Sequence, residues 1–254
     1  MSEKLDSNHL EKRHVDATNL ENQHLIHGIL VIDKPVGKSS FAFVQAARRV
    51  FNERCIGHAG TLDPLASGLL VLLIGRTYTK QSDSFLLQDK CYQTRLHLGS
   101  STSTYDEEGE VTNESSYIPS LAEVEDAIAT FQGSISQEPP MFSAKKMGGK
   151  KLYQLARQGL HVERKPQQVE VSIKLLDYTY PFIDLEVSCS KGTYIRSLGH
   201  DIGKKLNTFA HLESLRRLKS GHFTLEKALD GNCLFDPTFS ICPAMMKEWT
   251  RASV

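Results

Sequence analysis

The stretch Gly57-His58-Ala59-Gly60-Thr61-Leu62-Asp63-Pro64-Leu65-Ala66-Ser67-Gly68 places one carboxylate in a segment that contains three glycines and one proline. Glycine permits backbone angles and close approaches that other residues resist, and proline biases the residue before it toward an extended conformation. Asp63 is therefore predicted to lie on a rigid loop rather than on a helix surface. Two interpretations fit these residues equally well, a catalytic carboxylate and an ordinary Asp-Pro turn between two elements.

Four further segments add to the stretch around Asp63, and no single segment is enough to identify a family. They are Asp33–Ser40 (DKPVGKSS), Lys90–Gly99, Pro140–Tyr153 and Cys189–Arg196 (CSKGTYIR). Together with the stretch around Asp63, and in this order, they resemble the motifs of the TruB family, the tRNA pseudouridine-55 synthases. The resemblance extends over roughly residues 28 to 228 and favours the catalytic interpretation.

The resemblance implies both a fold and a reaction. The fold is α+β, with a mixed, mostly antiparallel sheet and flanking helices. The reaction flips the uridine at position 55 out of the T loop of tRNA and isomerises it to pseudouridine by cleaving and re-forming the glycosidic link. Because a C1′–N1 bond is exchanged for a C1′–C5 bond without redox change, neither an organic cofactor nor a metal is expected.

Three residues are predicted to carry the chemistry. An aspartate carboxyl is ionised at neutral pH without help from a partner base, so Asp63 supplies the negative charge that the reaction needs. The resemblance places Arg196 beside it, where a guanidinium can pair bidentately with the carboxylate. By resemblance, Tyr92 stacks on the flipped base. The group that removes the C5 proton, and the choice between a covalent Asp63 adduct and a glycal route, stay open.

Other residues are expected to bind the substrate or to support the site. The resemblance places His58 next to the RNA, Tyr194 in the pocket near the base, and the backbone of Leu215 at the uracil edge. Lys34 and Pro35 are expected to support the floor of the active site rather than to act chemically.

Basic residues are concentrated in two segments, although 30 basic and 30 acidic residues cancel over the whole chain. Seven lysines or arginines and one acid lie between residues 145 and 165, and eight and four between residues 186 and 227. Residues 106–126 instead carry eight acids and no base. Because both basic segments adjoin the motifs, we expect them to contact the RNA backbone. The residues chosen for this role are Lys145, Lys146, Lys150, Lys151, Arg216 and Arg217.

Hydrophobic spacing and turn residues predict the elements around the motifs. Adjacent alternating strands with interspersed helices also favour an α+β arrangement over a doubly wound parallel sheet. The predicted strands are 28–32, 69–74, 92–98, 169–173 and 183–189, and the predicted helices are 40–51, 120–131, 151–158 and 195–206.

The sequence also predicts the organisation and setting of the chain. Residues 1–26 are polar and are interpreted as a flexible arm, residues 27–230 as the catalytic domain and residues 231–254 as a short tail, which is too short for the PUA domain that most family members carry. The five cysteines have neither disulfide-framework nor zinc-site spacing, and no apolar run reaches membrane length. We therefore expect a cytoplasmic protein.

Three alternatives compete with this function. Gly37-Lys38-Ser39 resembles the end of a P-loop, but the first glycine of that motif would fall at Ile32, so these residues do not predict nucleotide binding. An RNA-binding chaperone without turnover is disfavoured because Asp63 and Arg196 are both present. A guide-RNA-dependent relative that acts on ribosomal RNA is disfavoured by the predicted lack of a PUA domain. The expected partner is the tRNA T arm, bound by a monomer with no obligate protein partner.

Overall fold

The computed structural model describes residues 27–160 and 162–241, so the predicted N-terminal arm lies outside the described residues. Within these ranges, the framework is a ten-stranded sheet with helices packed on it. The strands are β1 (Gly28–Lys34), β2 (Ile56–Ala59), β3 (Ala66–Ile74), β4 (Lys90–Leu98), β5 (Ser100–Thr102), β6 (Val111–Glu114), β7 (Gly133–Gln137), β8 (Lys146–Met147), β9 (Lys150–Lys151), β10 (Gln167–Thr179), β11 (Phe182–Cys189), β12 (Ala210–Ser220), β13 (Phe223–Thr224) and β14 (Leu229–Asp230). The helices are α1 (Ser40–Phe51), α2 (Arg76–Thr79), α3 (Ser82–Leu86), α4 (Leu121–Ala129), α5 (Leu152–Ala156) and α6 (Ile195–Lys205).

The main sheet is mixed. Its strand order is β14-β1-β3-β12-β4-β11-β10-β7, with β2 paired to β3 and β13 paired to β12. The contacts of β1 with β14 and of β3 with β12 are parallel, and the other neighbours are antiparallel. The predicted α+β fold with a mixed, mostly antiparallel sheet is confirmed. β12 lies between β3 and β4, although both of those strands precede it far earlier in the chain.

Strands β1 and β3 are buried on both faces, which explains the continuous apolar run at residues 69–74. Leu30 and Leu70 point into the large core that contains Phe43 of α1, whereas Val71 belongs to a smaller core around Phe85 of α3. Burial of each such side chain stabilises the fold by roughly 1.5–3 kcal/mol. This strand pair therefore anchors the hairpin that carries Asp63.

The structure confirms most predicted elements and corrects the limits of others. Helix α4 has the predicted capping box of Ser120 and Glu123, but it ends at Ala129 because the chain then closes tighter turns, with Phe131 N–H donating to the Ile128 carbonyl. Helix α5 is shorter than the predicted 151–158 because its last residues form turns. The first residues of the Gly57–Gly68 stretch belong to strand β2 rather than to a loop.

The chain beyond β14 packs onto the core. Gly231–Phe235 forms a 3₁₀ helix, and the Phe235 ring meets the Phe43 ring edge-on at 5.1 Å between centroids. The packed fold thus continues past residue 230, and the limit of the catalytic domain stays a prediction. Within the described ranges, none of the helices is both long and apolar enough to cross a membrane.

Candidate active site

Asp63 lies at the tip of the β2–β3 hairpin, and the residues on both sides of it are fixed by hydrogen bonds. The Ser40 hydroxyl donates to the Leu62 carbonyl and accepts from the Leu62 N–H, each at 2.8 Å. On the other side, the Gly37 N–H donates to the Pro64 carbonyl at 2.8 Å. The Asp33–Ser40 segment therefore fixes the backbone on both sides of Asp63, and these hydrogen bonds do not use the Asp63 carboxylate.

Lys34 and Pro35 lie beneath this loop. The Lys34 side chain is fully buried, and its Nζ donates to the Pro35 carbonyl at 2.8 Å and to the Pro64 carbonyl at 3.4 Å. Burial lowers the pKa of Lys34 to about 8, and the nearby Asp63 carboxylate opposes this shift. These contacts join the Lys34 side chain to the loop that carries Asp63. The supporting role of Lys34 and Pro35 stays a prediction.

Arg196 joins four parts of the chain. One terminal nitrogen lies 3.0 Å from Asp63 Oδ2 and donates to the Phe142 carbonyl at 2.7 Å. The other donates to Asp106 Oδ2 at 3.1 Å and to the Thr104 carbonyl at 3.0 Å. The expected bidentate pair with Asp63 is thus wrong, because the guanidinium divides its two terminal nitrogens between two carboxylates. This division fixes Arg196 while the Asp63 carboxylate stays 40% exposed.

Asp106, the second carboxylate that contacts Arg196, is absent from the residues predicted from the sequence. It lies in the acidic run 106–126, yet only 3% of its surface is exposed. Its segment docks on β12, where Glu107 N–H donates to the Leu212 carbonyl and Leu212 N–H donates to the Tyr105 carbonyl. Tyr105 adopts a positive φ of 65°, which turns the chain at this point. No local pattern distinguishes this buried acid from its solvated neighbours.

A pocket of about 230 Å³ opens beside the Asp63 carboxylate. Its wall brings together four residues that were predicted separately, Asp63, Tyr92, Tyr194 and Leu215, and Arg196 joins them. Small-molecule sites typically enclose roughly 300–1,000 Å³, so this pocket suits one nucleobase better than a large cofactor. The lining residues come from the hairpin tip, β4, β12 and the start of α6, so the sheet brings distant motifs to one place.

The two tyrosines are held differently. Tyr92 lies on β4 with 8% of its surface exposed, and burial raises the pKa of its hydroxyl, which keeps the phenol neutral at physiological pH. The backbone of Tyr194 is clamped by Gln137, whose side-chain oxygen accepts from the Tyr194 N–H at 2.7 Å and whose amide nitrogen donates to the Tyr194 carbonyl at 3.1 Å. Ser143 adds a buried hydroxyl to the wall, without a hydrogen-bond partner among the described residues.

His58 lies outside the pocket wall. It is on β2 opposite Leu72 of β3, and its Nδ1 is buried without a partner in the described part of the chain. Burial and the nearby charge of Arg217 lower the pKa of His58, so its ring is neutral at pH 7. Contact with RNA near the flipped base stays a prediction for this residue.

The two neighbouring arginines of β12 point in opposite directions. Arg216 is partly exposed and forms two hydrogen bonds with Asp33, at 3.0 and 2.6 Å. Arg217 is only 1% exposed, so its predicted contact with phosphate is wrong. Consecutive residues of a strand face opposite sides of the sheet, and only one of the pair can face RNA.

The first part of the predicted basic segment, residues 145–151, forms a small hairpin next to the pocket. β8 and β9 pair with each other directly after Ser143 and Ala144 of the pocket wall. Lys146 and Lys150 are exposed, whereas Lys145 and Lys151 are half-buried. The hairpin thus places cationic side chains close to the pocket wall, and their contact with RNA stays a prediction. Among the described residues, no group of three or more His, Cys, Asp or Glu side chains is arranged to hold a metal ion.

His200 is expected to make the stability of the fold sensitive to acid. Its ring stacks on Tyr105 at 3.9 Å between centroids, and burial lowers its pKa to about 4. An unfolded histidine takes up its proton near pH 6.5, so the free energy of unfolding falls as pH drops from about 6.5 to 4, by up to ~1.4 kcal/mol per pH unit. Denaturant titrations at about pH 7 and pH 5 should show a larger loss for wild type than for H200Q. Equal losses would contradict this assignment.

Comparison with known proteins gives the class of this site. Two family models match the chain: TruB family pseudouridylate synthase (N terminal domain) over residues 48–195 and tRNA pseudouridylate synthase B C-terminal domain over residues 196–236. The protein called tRNA pseudouridine synthase B from Chlamydia pneumoniae is 51% identical over 219 residues, which is 86% of this chain and 93% of the relative. Its namesake from Protochlamydia amoebophila is 52% identical over 206 residues, 81% of this chain and 79% of the relative.

A solved structure agrees with these sequence matches. The crystal structure of a Cbf5-Nop10-Gar1 complex contains a chain that is 28% identical, with a TM-score of 0.64. The match covers 82% of this chain and 53% of that one, so this chain spans about half the length of the solved relative. Together, the comparisons define the class as pseudouridylate synthases. The chain belongs to the TruB family of these enzymes.

Proposed function

We propose that this enzyme isomerises the uridine at position 55, in the T loop of tRNA, to pseudouridine. The observation that carries the proposal is the Asp63 carboxylate, half-exposed toward a nucleobase-sized pocket and paired with the buried Arg196. The names of the relatives support tRNA as the substrate. A uridine in a folded loop reaches such a pocket only when it is flipped out of its stack.

The proposed reaction balances without a cofactor. The C1′–N1 bond breaks, a C1′–C5 bond forms, the proton at C5 leaves and N1 gains one. The Asp63 carboxylate either bonds to the substrate or takes the proton at C2′ in a glycal route, while Arg196 compensates its charge in the water-depleted pocket. Tyr92 packs on the flipped base, and Tyr194 and Leu215 enclose it.

The test is release of tritium from uracil C5 in a T-arm stem-loop RNA, with no cofactor, guide RNA or second protein added. Release is expected because one chain supplies every residue of the pocket wall. A stem-loop with the label only at uridines outside the T loop serves as the control. If the RNA binds but no tritium is released, the chaperone alternative is favoured. If tritium is released only when a guide RNA is added, the enzyme is guide-RNA-dependent and the proposed function is wrong.

RNA binding is expected to weaken steeply with salt because lysines of the β8–β9 hairpin contact phosphates. Each contact between a lysine and a phosphate contributes about 0.7–0.9 to the magnitude of the slope of log affinity against log salt, and removing the lysine should remove that contribution. We therefore expect Lys146→Ala and Lys150→Ala to flatten the slope in filter-binding titrations of the T-arm RNA. Lys174, an exposed lysine of β10, provides the matched control. An unchanged slope in both hairpin variants would remove the hairpin from the RNA interface.

We also propose that the enzyme acts as a monomer, because one chain supplies the residues of the pocket wall, and that it acts in the cytoplasm, where its proposed tRNA substrate is found. Sedimentation of the enzyme with and without T-arm RNA tests the monomer. A dimer that dissociates with loss of activity would contradict it.

A further inference from the structure

Arg217 lies in the centre of the sheet, below the active site. It is paired with Gly68 of β3 on one side and with Tyr92 of β4 on the other. Its Nε donates to the Leu69 carbonyl at 2.7 Å, and one terminal nitrogen donates to the Gly60 carbonyl at 3.1 Å. The side chain therefore binds the two ends of the segment that carries the catalytic aspartate.

The surroundings of Arg217 give a structural reason to expect a function. Among the described residues, no carboxylate lies within ion-pair distance of its guanidinium. Arginine does not lose its proton in proteins, and a buried charge without a counter-ion is costly. An apolar side chain would avoid this cost at a position inside the sheet. The titratable groups that face Arg217 are Lys34 from β1, His58 from β2, and Lys90 and Tyr92 from β4.

Tyr92 is the one of these groups that reaches the pocket. Arg217 and Tyr92 are direct partners across β12 and β4, so their side chains lie side by side on one face of the sheet. The charge of Arg217 acts to lower the pKa of Tyr92 against the larger opposite effect of burial. A guanidinium only donates hydrogen bonds, so a hydrogen bond between the two groups would run from Arg217 to the phenol oxygen. The position of Arg217 beside Tyr92 limits how the phenol can be oriented in the pocket wall.

We infer that Arg217 is a positioning residue, which keeps the Tyr92 phenol and the Asp63 loop in a fixed relation, because it hydrogen-bonds the loop and lies directly beside Tyr92. The inference rests on the proposed function. The Gly60 contact lies three residues before Asp63 in the chain, and the Tyr92 contact lies in the pocket wall. A change at Arg217 therefore displaces the two groups relative to each other without removing either one.

A double-mutant cycle tests the inference. Arg217→Lys is made in the wild type and in Tyr92→Phe, which keeps the ring but lacks the hydroxyl, and tritium release is measured in single turnovers at saturating T-arm RNA. A displacement of about 1 Å in an active site can lower the rate on the order of 10²-fold. We expect a loss of that size in the wild type, with unchanged RNA affinity, and an at least tenfold smaller loss in Tyr92→Phe. Arg95→Lys, at the exposed β4 arginine that pairs with Asp184, is the control that should keep the wild-type rate.

The outcomes separate the inference from the proposed function. A folded Arg217→Lys enzyme at the wild-type rate, or equal losses in both backgrounds, would overturn the inference while the proposed function stands. Thermal melting identifies variants that do not fold, and Arg217→Gln is then the second variant. If neither variant folds, Arg217 serves stability alone and the inference is wrong. A wild-type enzyme without release would reject the proposed function, and the inference with it.

Discussion

Asp63→Asn is expected to lower the rate of pseudouridine formation on the order of 10⁴-fold or more, as the loss of a central nucleophile does in other enzymes. The amide has nearly the same shape as the carboxylate, so the pocket and the hydrogen bonds that hold the residues on both sides of position 63 are retained. It is neutral, however, and can neither form the covalent bond nor take the C2′ proton. Single-turnover tritium release measures the rate, and filter binding should show nearly unchanged affinity for the T-arm RNA.

Asp184→Asn is the matched control for this variant. Asp184 is also paired with an arginine, Arg95, but lies on β11 and outside the pocket wall. It should keep the wild-type rate. If Asp63→Asn kept a rate within tenfold of wild type, the carboxylate would not be the catalytic group, and the assignment of the site to the hairpin tip would be wrong.

Arg196→Lys is expected to lower the rate at least on the order of 10²-fold, because a misplaced catalytic group costs about this much. The guanidinium contacts Asp63, Asp106 and two carbonyls through two separate nitrogens. Lysine keeps the charge but offers one nitrogen, which cannot span both carboxylates. Single-turnover rates and RNA affinity are measured together, and the affinity should change much less than the rate.

Asp106→Asn tests the contribution of the second carboxylate that Arg196 contacts, apart from that of Asp63. It removes the buried partner of Arg196 and keeps the Asp63 contact, so the charge of Arg196 is left with one exposed counter-ion. Breaking a buried ion pair typically destabilises a protein by about 3–5 kcal/mol, so thermal melting must accompany the kinetics. A folded Asp106→Asn enzyme should lose rate and keep RNA affinity. Wild-type rates in both Arg196→Lys and Asp106→Asn would show that the contacts of Arg196 with Asp63 and Asp106 neither orient the Asp63 carboxylate nor balance its charge.

Much of the fold follows from local patterns in the sequence. The apolar run 69–74 predicts β3, which is buried on both faces. The alternation at 169–173 and 183–189 predicts β10 and β11, which each present one face to the core. The Ser40–Phe51 helix was predicted with the limits that the structure has. The pocket residues Asp63, Tyr92, Tyr194 and Leu215 were found through the family motifs, since no property of a single tyrosine or leucine distinguishes a pocket from a core.

Two residues could not be predicted, for different physical reasons. Asp106 is buried by contacts with β12 and with Arg196, which lies about ninety positions away in sequence. No pattern in the neighbouring sequence predicts this burial. Arg217 was assigned to the RNA surface together with Arg216, although neighbours on a strand face opposite sides. That rule could not be applied from the sequence, because no strand was predicted at residues 210–220, where the structure has β12.

The late position of β12 has a consequence for synthesis of the enzyme on the ribosome. β3 and β4 leave the ribosome well before β12, yet they become neighbours only through it. Until then, each has an edge whose hydrogen-bonding groups have no permanent partner, and such edges are prone to pair with other chains. A nascent chain that stops before residue 210 therefore has Asp63 and Tyr92 but lacks Leu215 of the pocket wall. The pocket wall is complete only after β12 has joined the sheet between β3 and β4.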